Sequence, residues 1–337
     1  MLLLKIYWHV YLYSHLRFEI KSTVDMAAML NRQFIGSSVL SLENGPIEGT
    51  VQILPLPNLR LVLIELNKKV VFYADRKAGK YHFSVNLSDD PSRDNVMAQG
   101  VTIARPAIFG FNKELKDLDL QLSTGCRFCS IIIPELFLMA KLSEYSANNV
   151  QDILNKFNIL SSSNVPYGLI LYLSQLWSNL PSLVLSPAFV EDEILSALIE
   201  CFISPDDRKL GVSIDRCDRH EAALQVLALT SSSPTKPFEI QDLCSLLHQS
   251  RTSVFNGCKE KFKMSPLQVV RSVRLHQVRH ALMNIEFCIE NNIRSVSDTA
   301  SHFGFVGRSH FARYYKQEFF EMPSQTLSNR RHADHEF

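Results

Sequence analysis

The sequence predicts an α+β chain in which an antiparallel β region is followed by helical regions. Between Gly36 and Ile133, short runs rich in β-branched and aromatic residues alternate with turn signals such as NGP and STG. Strands at a spacing of about 8–12 residues produce this pattern in antiparallel sandwiches and barrels. From Pro134 onward, apolar residues recur at intervals of three and four, which is the signature of amphipathic helices. The chain therefore changes from strands to helices at about this proline.

The 337 residues suffice for two or three domains, each with its own core. We expect a β-rich domain over residues 30–140, a helical linker or dimerisation region over residues 141–212, and an all-helical domain over residues 213–337. Runs such as TVQILPL, LRLVLIEL and FCSIII supply the expected strands. The first 25 residues are either the beginning of this domain, as a first strand, or an extension upstream of Met26, and both alternatives stay open.

Charge is distributed unevenly, although 35 Lys and Arg nearly balance 34 Asp and Glu. Residues 213–337 hold 16 basic and 13 acidic side chains, a net charge of +3, while residues 1–212 carry −2. This modest asymmetry directs the search for a nucleic-acid partner to the C-terminal region. Glycine is scarce, at 12 residues, and GxGxxG, GxxxxGK(S/T) and GxSxG motifs are absent. Most nucleotide-dependent enzymes are thereby disfavoured.

Cysteine usage and hydropathy indicate the compartment. The seven cysteines are an odd number scattered along a long chain, which favours a reducing environment over a disulfide framework. No stretch reaches the ~20 apolar residues that span a bilayer, and the N-terminus lacks the features of a signal peptide. We therefore expect a cytoplasmic protein with no membrane partner.

The C-terminal region contains a degenerate duplication. The first copy runs FEIQDLCSLLHQSRTSVFNGCKEKFKMSP and the second runs RSVSDTASHFGFVGRSHFARYYKQEFFEMPS. Each copy predicts a short helix, Ile240–Leu247 or Val296–Phe303, then a tight turn and a longer helix. The longer helices begin at Ser250, a good N-cap, and near Gly307. Each copy therefore has the anatomy of a helix-turn-helix motif.

The longer helix of each copy has an apolar face and a polar, basic face. The apolar stripes are Val254, Cys258 and Phe262 in the first copy and Phe311, Tyr315 and Phe319 in the second. The polar faces consist of Arg251, Thr252, Ser253, Asn256 and Lys259, and of Arg308, Ser309, Arg313 and Lys316. One such helix pair is most often part of an ordinary bundle with a solvated face. Two copies with matching spacing favour a pair of DNA-binding motifs.

A third helix, LQVVRSVRLHQVRHALM, connects the copies and exposes Arg271, Arg274 and Arg279 in our prediction. Its expected length of ~25 Å suits a helix that holds two recognition helices one DNA turn, ~34 Å, apart.

From about Ile214 to Leu327, the sequence resembles the DNA-binding domain of the AraC/XylS family. The resemblance is carried by the SxxSVF run, by Arg274-Leu275, and by the Gly-Phe, Ser-x-Phe and Phe-x3-Pro positions of the second copy.

The resemblance implies a DNA-binding transcription regulator, a ligand-responsive activator that works with RNA polymerase and is neither an enzyme nor dependent on a cofactor. It places Thr252, Asn256, Arg308, Ser309 and Arg313 at positions that contact bases. Arg251, Lys259 and Lys316 lie where phosphate contacts are expected. The family also implies a cupin-like effector domain at the N-terminus and a homodimer formed through the adjoining helices.

The AraC/XylS family usually ends each recognition helix with a glycine. In this chain we expect Lys263 and Glu321 to occupy those two positions. If the backbone is left-handed there, each costs ~1 kcal/mol relative to glycine. The segment EIQDLCSLLHQS and the overall layout also resemble ethanolamine-utilisation regulators.

Two alternatives remain. The first is a cupin-like metal-binding protein or enzyme whose helical domain serves protein interaction. Residues 30–140 contain one histidine, His82, which is too few for the usual cupin metal site, so we expect an ordinary strand histidine. Cys126 and Cys129 form a CxxC that can bind zinc or change redox state, but no second pair follows, and structural cysteines are favoured. The second alternative keeps DNA binding and makes the protein a repressor or a DNA-repair sensor.

Overall fold

The computed structural model describes residues 15–88, 96–145, 147–162, 165–180, 185–204, 209–212 and 217–333. The strands are β1 (Leu16–Ile20), β2 (Phe34–Ser41), β3 (Gly49–Pro55), β4 (Arg60–Leu66), β5 (Val70–Arg76), β6 (Lys80–Asn86), β7 (Met97–Ala98), β8 (Val101–Thr102), β9 (Ala107–Phe109), β10 (Asp117–Leu122), β11 (Arg127–Pro134), β12 (Ile159–Ser161) and β13 (Lys209–Gly211). The helices are α1 (Thr23–Leu30), α2 (Glu135–Glu144), α3 (Asn148–Lys156), α4 (Val165–Asn179), α5 (Pro187–Ile203), α6 (Asp218–Ser232), α7 (Ile240–Leu247), α8 (Arg251–Phe262), α9 (Pro266–Met283), α10 (Ile285–Glu290), α11 (Val296–His302), α12 (Arg308–Phe319) and α13 (Pro323–Ala333).

The strands form two antiparallel sheets. The larger sheet has the order β1-β3-β4-β11-β6-β9-β12-β13, and the smaller sheet has the order β2-β5-β10-β7-β8. Apolar side chains from the facing sides, including Val62, Phe72 and Leu120, pack into one layer between the sheets. The predicted α+β class, with an N-terminal antiparallel β domain and a C-terminal helical domain, is confirmed. Residues outside 30–140 also join the larger sheet, because β1 pairs with β3 and β12 pairs with β9 and β13.

The outer face of the larger sheet is covered by helices α2 to α5. Since side chains alternate along a strand, Tyr81 and Phe83 of β6 point to this face, where they are buried with Phe202 of α5. The carboxylate of Glu191, also on α5, accepts hydrogen bonds from the backbone N–H groups of Asn58, at 2.6 Å, and of Leu59. A buried carboxylate with these donors attaches the helical layer to the turn between β3 and β4.

The outer face of the smaller sheet is covered by the C-terminal helices. Leu40 of β2 and Val71 of β5 are fully buried and belong to the same apolar cluster as Leu227 of α6 and Val254 of α8. The described chain is therefore layered, with α2–α5, the larger sheet, the smaller sheet and the C-terminal helices following one another in space.

The C-terminal helices form two lobes that share α9. The first lobe contains α6, α7, α8 and the first half of α9, which contributes Val270 and Val273 to its core. The second lobe contains α10 to α13 and the second half of α9, which contributes Leu275 and Val278. Helix α9 begins with a capping box, in which Ser265 Oγ accepts from the Gln268 N–H. Because one helix packs into both cores, it sets the separation of the lobes.

None of the helices within the described ranges is both long and apolar enough to cross a membrane.

Candidate nucleic-acid interface

The first lobe contains a helix-turn-helix motif with the predicted bounds. A capping box begins α7, since the Glu239 N–H donates to Asp242 Oδ2 at 2.8 Å and the Glu239 side chain accepts in return. His248 then adopts a left-handed backbone conformation with φ of 52°. Ser250 Oγ accepts from the Ser253 N–H at 3.0 Å and caps α8, as its position in the sequence predicts.

The second lobe repeats the motif with a different turn. Ser295 caps α11 by accepting from the Asp298 N–H at 3.1 Å. Gly304 and Gly307 supply the left-handed conformations of the turn, with φ of 76° and 87°, which glycine adopts without steric cost. Helix α12 begins at Arg308 directly after Gly307, so a backbone conformation replaces the side-chain cap of the first lobe.

The longer helices, α8 and α12, bury the predicted apolar stripes. Val254, Cys258 and Phe262 are at most 2% exposed, and Phe311, Tyr315 and Phe319 at most 5%. Gly257 was not recognised in the sequence as structurally required, although a glycine inside a helix is a signal of close packing. A Cβ added there would lie 1.8 Å from the Arg219 carbonyl oxygen, so α6 and α8 can approach this closely only with glycine.

The opposite faces of these two helices carry the predicted polar residues. Arg251, Thr252, Asn256, Lys259, Ser309, Arg313 and Lys316 are exposed. Ser253 is half-buried and its hydroxyl donates to Gln249 Oε1 at 3.1 Å. Arg308 lies on α12, and its side chain falls outside the described part of the structure. Each lobe therefore presents donors and positive charge to solvent from the side opposite its core.

Comparison with known proteins identifies this part of the chain. Residues 243–329 match the family model described as a helix-turn-helix domain. The "XylDLEGF operon transcriptional activator 2" of Pseudomonas putida is 27% identical over 135 residues, which cover 40% of this chain and 80% of that protein. Residues 243–329 therefore form a helix-turn-helix domain similar to that of AraC/XylS-type activators, and the chain is a DNA-binding transcription regulator.

Three solved structures are similar to the regulator. The AraC-like transcriptional activator CuxR aligns with a TM-score of 0.41 at 14% identity, over 79% of this chain and 96% of that one. ToxT from Vibrio cholerae O395 aligns with a TM-score of 0.31 at 14% identity, over 94% and 97%. A probable AraC family regulator from Rhodopseudomonas palustris CGA009 aligns with a TM-score of 0.30 at 27% identity, over 33% and 97%.

The prediction that the arginines of α9 are exposed is wrong for Arg279, and Arg271 is half-buried. Arg279 is buried, because α9 runs between the N-terminal domain and the second lobe. Its guanidinium donates to the Lys21 carbonyl at 2.6 Å and to Glu321 Oε1 at 3.2 Å. Arg274 is half-buried and donates to the Pro234 carbonyl at 3.1 Å. Periodicity alone could not reveal these long-range partners.

The left-handed residues that end α8 and α12 are Lys263 and Phe320, with φ of 59° and 60°. The expectation for Lys263 is met, but the expectation for Glu321 is wrong by one position. The longer helices are related by a 57-residue offset, which makes Phe320 the equivalent of Lys263. Glu321 is the residue that pairs with Arg279.

Polar contacts connect the N-terminal domain to the DNA-binding domain beside both longer helices. Lys261 Nζ of α8 lies 2.7 Å from Asp119 Oδ2 of β10, and both side chains are largely buried. In the second lobe, the Gly45 N–H donates to the Glu318 carbonyl of α12 at 2.5 Å. His280 Nδ1 of α9 lies 3.0 Å from Asp25 Oδ1 of α1. No sequence signal identified these pairs.

A cavity of about 20 Å³ lies between the two sheets, with Phe72, Leu118 and Leu120 among its apolar lining. Gln33 and His82 are among its polar lining residues. Within the described chain, Gln33 Oε1 and both ring nitrogens of His82 have no hydrogen-bond partner. Burial, followed by the charge of nearby Arg76, lowers the pKa of His82 to about 3, so the imidazole is neutral at pH 7. The cavity has room for one water-sized molecule.

The CxxC cysteines do not form one site. Cys126 packs between the sheets, whereas Cys129 packs against the helices on the outer face of the larger sheet. Cys126 directly precedes β11, which contains Cys129, and residues three apart in extended chain point to opposite faces. Burial raises the pKa of Cys129 to about 12, so its thiol is unreactive at neutral pH. In the described ranges, no three His, Cys, Asp or Glu side chains are grouped as metal ligands.

Proposed function

We propose that the regulator inserts α8 and α12 into two adjacent major grooves on one side of a DNA duplex. The observation that carries this proposal is the pair of exposed polar faces on helices whose opposite sides are buried in two lobes joined by α9. The 18 residues of α9 span about 27 Å. With the width of a helix added at either end, that length is compatible with the ~34 Å between successive major grooves.

The side chains divide into two roles by their chemistry. Asn256 can bind adenine N6 and N7 bidentately, and Arg308 and Arg313 can bind guanine O6 and N7. Thr252, Ser253 and Ser309 supply hydroxyls for shorter-range contacts to base edges or phosphates. Arg251, Lys259 and Lys316 carry charge that neutralises phosphates and sets the register of the protein without selecting sequence.

The N-terminal β domain is proposed to sense a small-molecule effector. Its support is geometric, because the smaller sheet is a single layer between the inter-sheet cavity and the first lobe. On β10, Leu118 and Leu120 line the cavity, while Asp119 between them pairs with Lys261 of α8. On β5, Phe72 lines the cavity and Val71 packs in the first lobe. A ligand that enlarges the cavity would therefore displace the surface on which α8 rests.

The proposed arrangement has three parts, which are an effector domain over residues 30–140, a dimerisation region over residues 141–212 and a DNA-binding domain over residues 213–337. Dimerisation is supported by exposed apolar side chains on α4 and α5, including Tyr167, Leu171 and Phe189. Activation, with RNA polymerase as partner, is proposed because the Pseudomonas putida relative is named as an activator. A cytoplasmic location follows from this role.

Selection of bound sequences from a pool of random DNA, with the full chain as bait, tests the proposal. We expect one enriched sequence and a footprint that protects two adjacent major grooves. Repeating the selection with a library of small metabolites tests effector dependence. Protection of a single groove, or recovery of DNA without any enriched sequence, would contradict insertion of both helices.

A further inference from the structure

A cleft of about 680 Å³ separates α9 from α12. Met264, two residues after the end of α8, and Asn44, of the loop between β2 and β3, are among its lining residues. Arg271 of α9 and Lys316 of α12 are among the lining residues. The cleft thus lies beside α12 and reaches the segment that follows α8, where DNA whose major grooves hold both helices would present its intervening backbone.

The cleft is positively charged. Arg271, Arg313 and Lys316 line it together with one carboxylate, that of Glu318. Glu318 Oε1 accepts a hydrogen bond from Ser272 Oγ at 2.7 Å, so this carboxylate is already engaged with the protein. Among the described residues, Arg271 forms no ion pair within 4.0 Å, and the carboxylate that interacts with its charge is that of Glu318. Three cations against one bound carboxylate leave a surplus of positive charge in a concave site.

Two of these cations are oriented by the same aromatic ring. The Arg271 guanidinium lies 4.1 Å from the centroid of Tyr314, and the Arg313 guanidinium lies 5.2 Å from it. Stacking on a ring limits the orientations of a guanidinium and leaves its N–H groups available at the edge. Such donors match the oxygens of a phosphodiester, which arginine can bind through two parallel hydrogen bonds.

We propose that this cleft binds a backbone phosphate of the DNA segment between the two half-sites and that Arg271 makes the direct contact. The inference rests on the proposed insertion of α8 and α12 and adds a third contact region, on the helix that joins the lobes. Arg271 would thereby sense the spacing and path of the duplex between the half-sites without reading its sequence.

Substitution of Arg271 provides the first test, on DNA obtained by selection with the full chain. We expect Arg271→Ala to weaken binding about tenfold, as for loss of a hydrogen bond to a charged group. The slope of log K against log salt should fall by about 0.9, the value for one phosphate. Arg271→Lys should keep the slope. Lys141→Ala, on α2, removes one charge from an exposed pair with Glu144 and should change neither quantity.

Neutralising single phosphates provides a test that does not depend on the fold of a variant. Methylphosphonate linkages placed one at a time between the half-sites should weaken binding of the wild-type chain at one or two positions. The same linkages should cost the Arg271→Ala chain nothing further, because the contact is already absent. A penalty of equal size in both proteins, or an unchanged salt slope in Arg271→Ala, would overturn the assignment while leaving the insertion of both helices intact.

The cleft could instead take a free anion. Inorganic phosphate added at constant ionic strength should not compete with DNA more strongly than chloride does. Specific competition that disappears in Arg271→Ala would assign the cleft to a small anion and overturn the DNA contact. Absence of DNA binding by the wild-type chain would contradict this inference and the proposed function together.

Discussion

The two lobes of the DNA-binding domain share one motif but depend differently on the N-terminal domain. The first lobe shares its apolar core with the smaller sheet through Leu40 and Val71, and α8 is joined to that sheet by the buried pair of Lys261 and Asp119. The second lobe has a core made by its own helices and α9, and α12 touches the N-terminal domain through the backbone bond from Gly45. The same supersecondary motif can therefore be a dependent part of one domain or a nearly independent unit.

The difference predicts that a signal from the β domain reaches α8 more directly than α12. The smaller sheet and the first lobe are joined by a continuous apolar surface and by the buried ion pair of Lys261 and Asp119. If the sheet is displaced, the first lobe must therefore move or repack with it. The second lobe is linked mainly through α9 and a few polar contacts. Half-site occupancy measured separately for the two lobes can test this asymmetry.

The largest effect is expected from Lys261→Ala. Lys261→Ala removes the cation of a buried pair whose carboxylate, Asp119, is 2% exposed, and breaking such a pair typically costs about 3–5 kcal/mol. Urea unfolding should show this loss, and DNA protection should decrease at the half-site of the first lobe before that of the second. Lys259→Ala, on the exposed side of the same helix, is the matched control for stability. Equal stability of the two variants would show that the pair does not hold the lobe.

Acid should destabilise the β domain through protonation of His82. His82 has a folded-state pKa of about 3, below the unfolded value of ~6.5. The unfolded chain therefore binds the proton more readily, and stability is present above pH 6.5 and is lost as pH falls toward 3. We expect a loss of about 3 kcal/mol at pH 4.

Unfolding measured between pH 7 and pH 4 checks this prediction. His82→Gln cannot be protonated in this range, so its stability should depend less steeply on pH than that of the wild-type chain. Parallel pH curves for the two proteins would contradict the role given to His82.

Truncation of the shared core should have a somewhat smaller effect. Leu40→Ala removes a fully buried side chain at the boundary of the smaller sheet and the first lobe, and such a change costs about 2–4 kcal/mol. Hydrogen exchange can monitor local unfolding in this variant. The increase in exchange rate over the wild-type chain should be larger in α6 and α8 than in α12. Ile35→Ala alters an exposed residue of the same strand and should leave exchange unchanged. Uniform acceleration in both lobes would mean that they do not differ in their dependence on the sheet.

The smallest effect concerns DNA recognition by the second lobe. Arg313→Ala should cost about 1–3 kcal/mol on the selected sequence and relax preference at particular base pairs. Lys316→Ala should weaken all sequences alike and lower the salt slope by about 0.9. Binding assays on the selected site and on single-base variants separate the two. An equal loss of affinity on all DNA sequences in Arg313→Ala would mean that this residue contacts the DNA backbone and not the bases.

The helix-turn-helix motifs could be predicted in detail because their information is local. Ser250 caps α8 through an N–H three residues away, and the stripes of Val254, Cys258 and Phe262 follow from the period of one helix. The exposure of Arg279 could not be predicted in this way. Its partners include the carbonyl of Lys21, 258 residues distant, and nothing in the spacing of α9 distinguishes it from Arg271.

The sequence by itself determined the class of the regulator, since two copies of a motif with matching spacing specify helices, turns and polar faces through short-range chemistry. Only the tertiary structure decided how those helices are held. The layer order placed Asp119 against Lys261, 142 residues apart, and brought Arg271 and Arg313 to one ring. Such juxtapositions depend on the packing of sheets and helices over the whole chain, because buried faces choose their partners by shape and area rather than by distance in sequence.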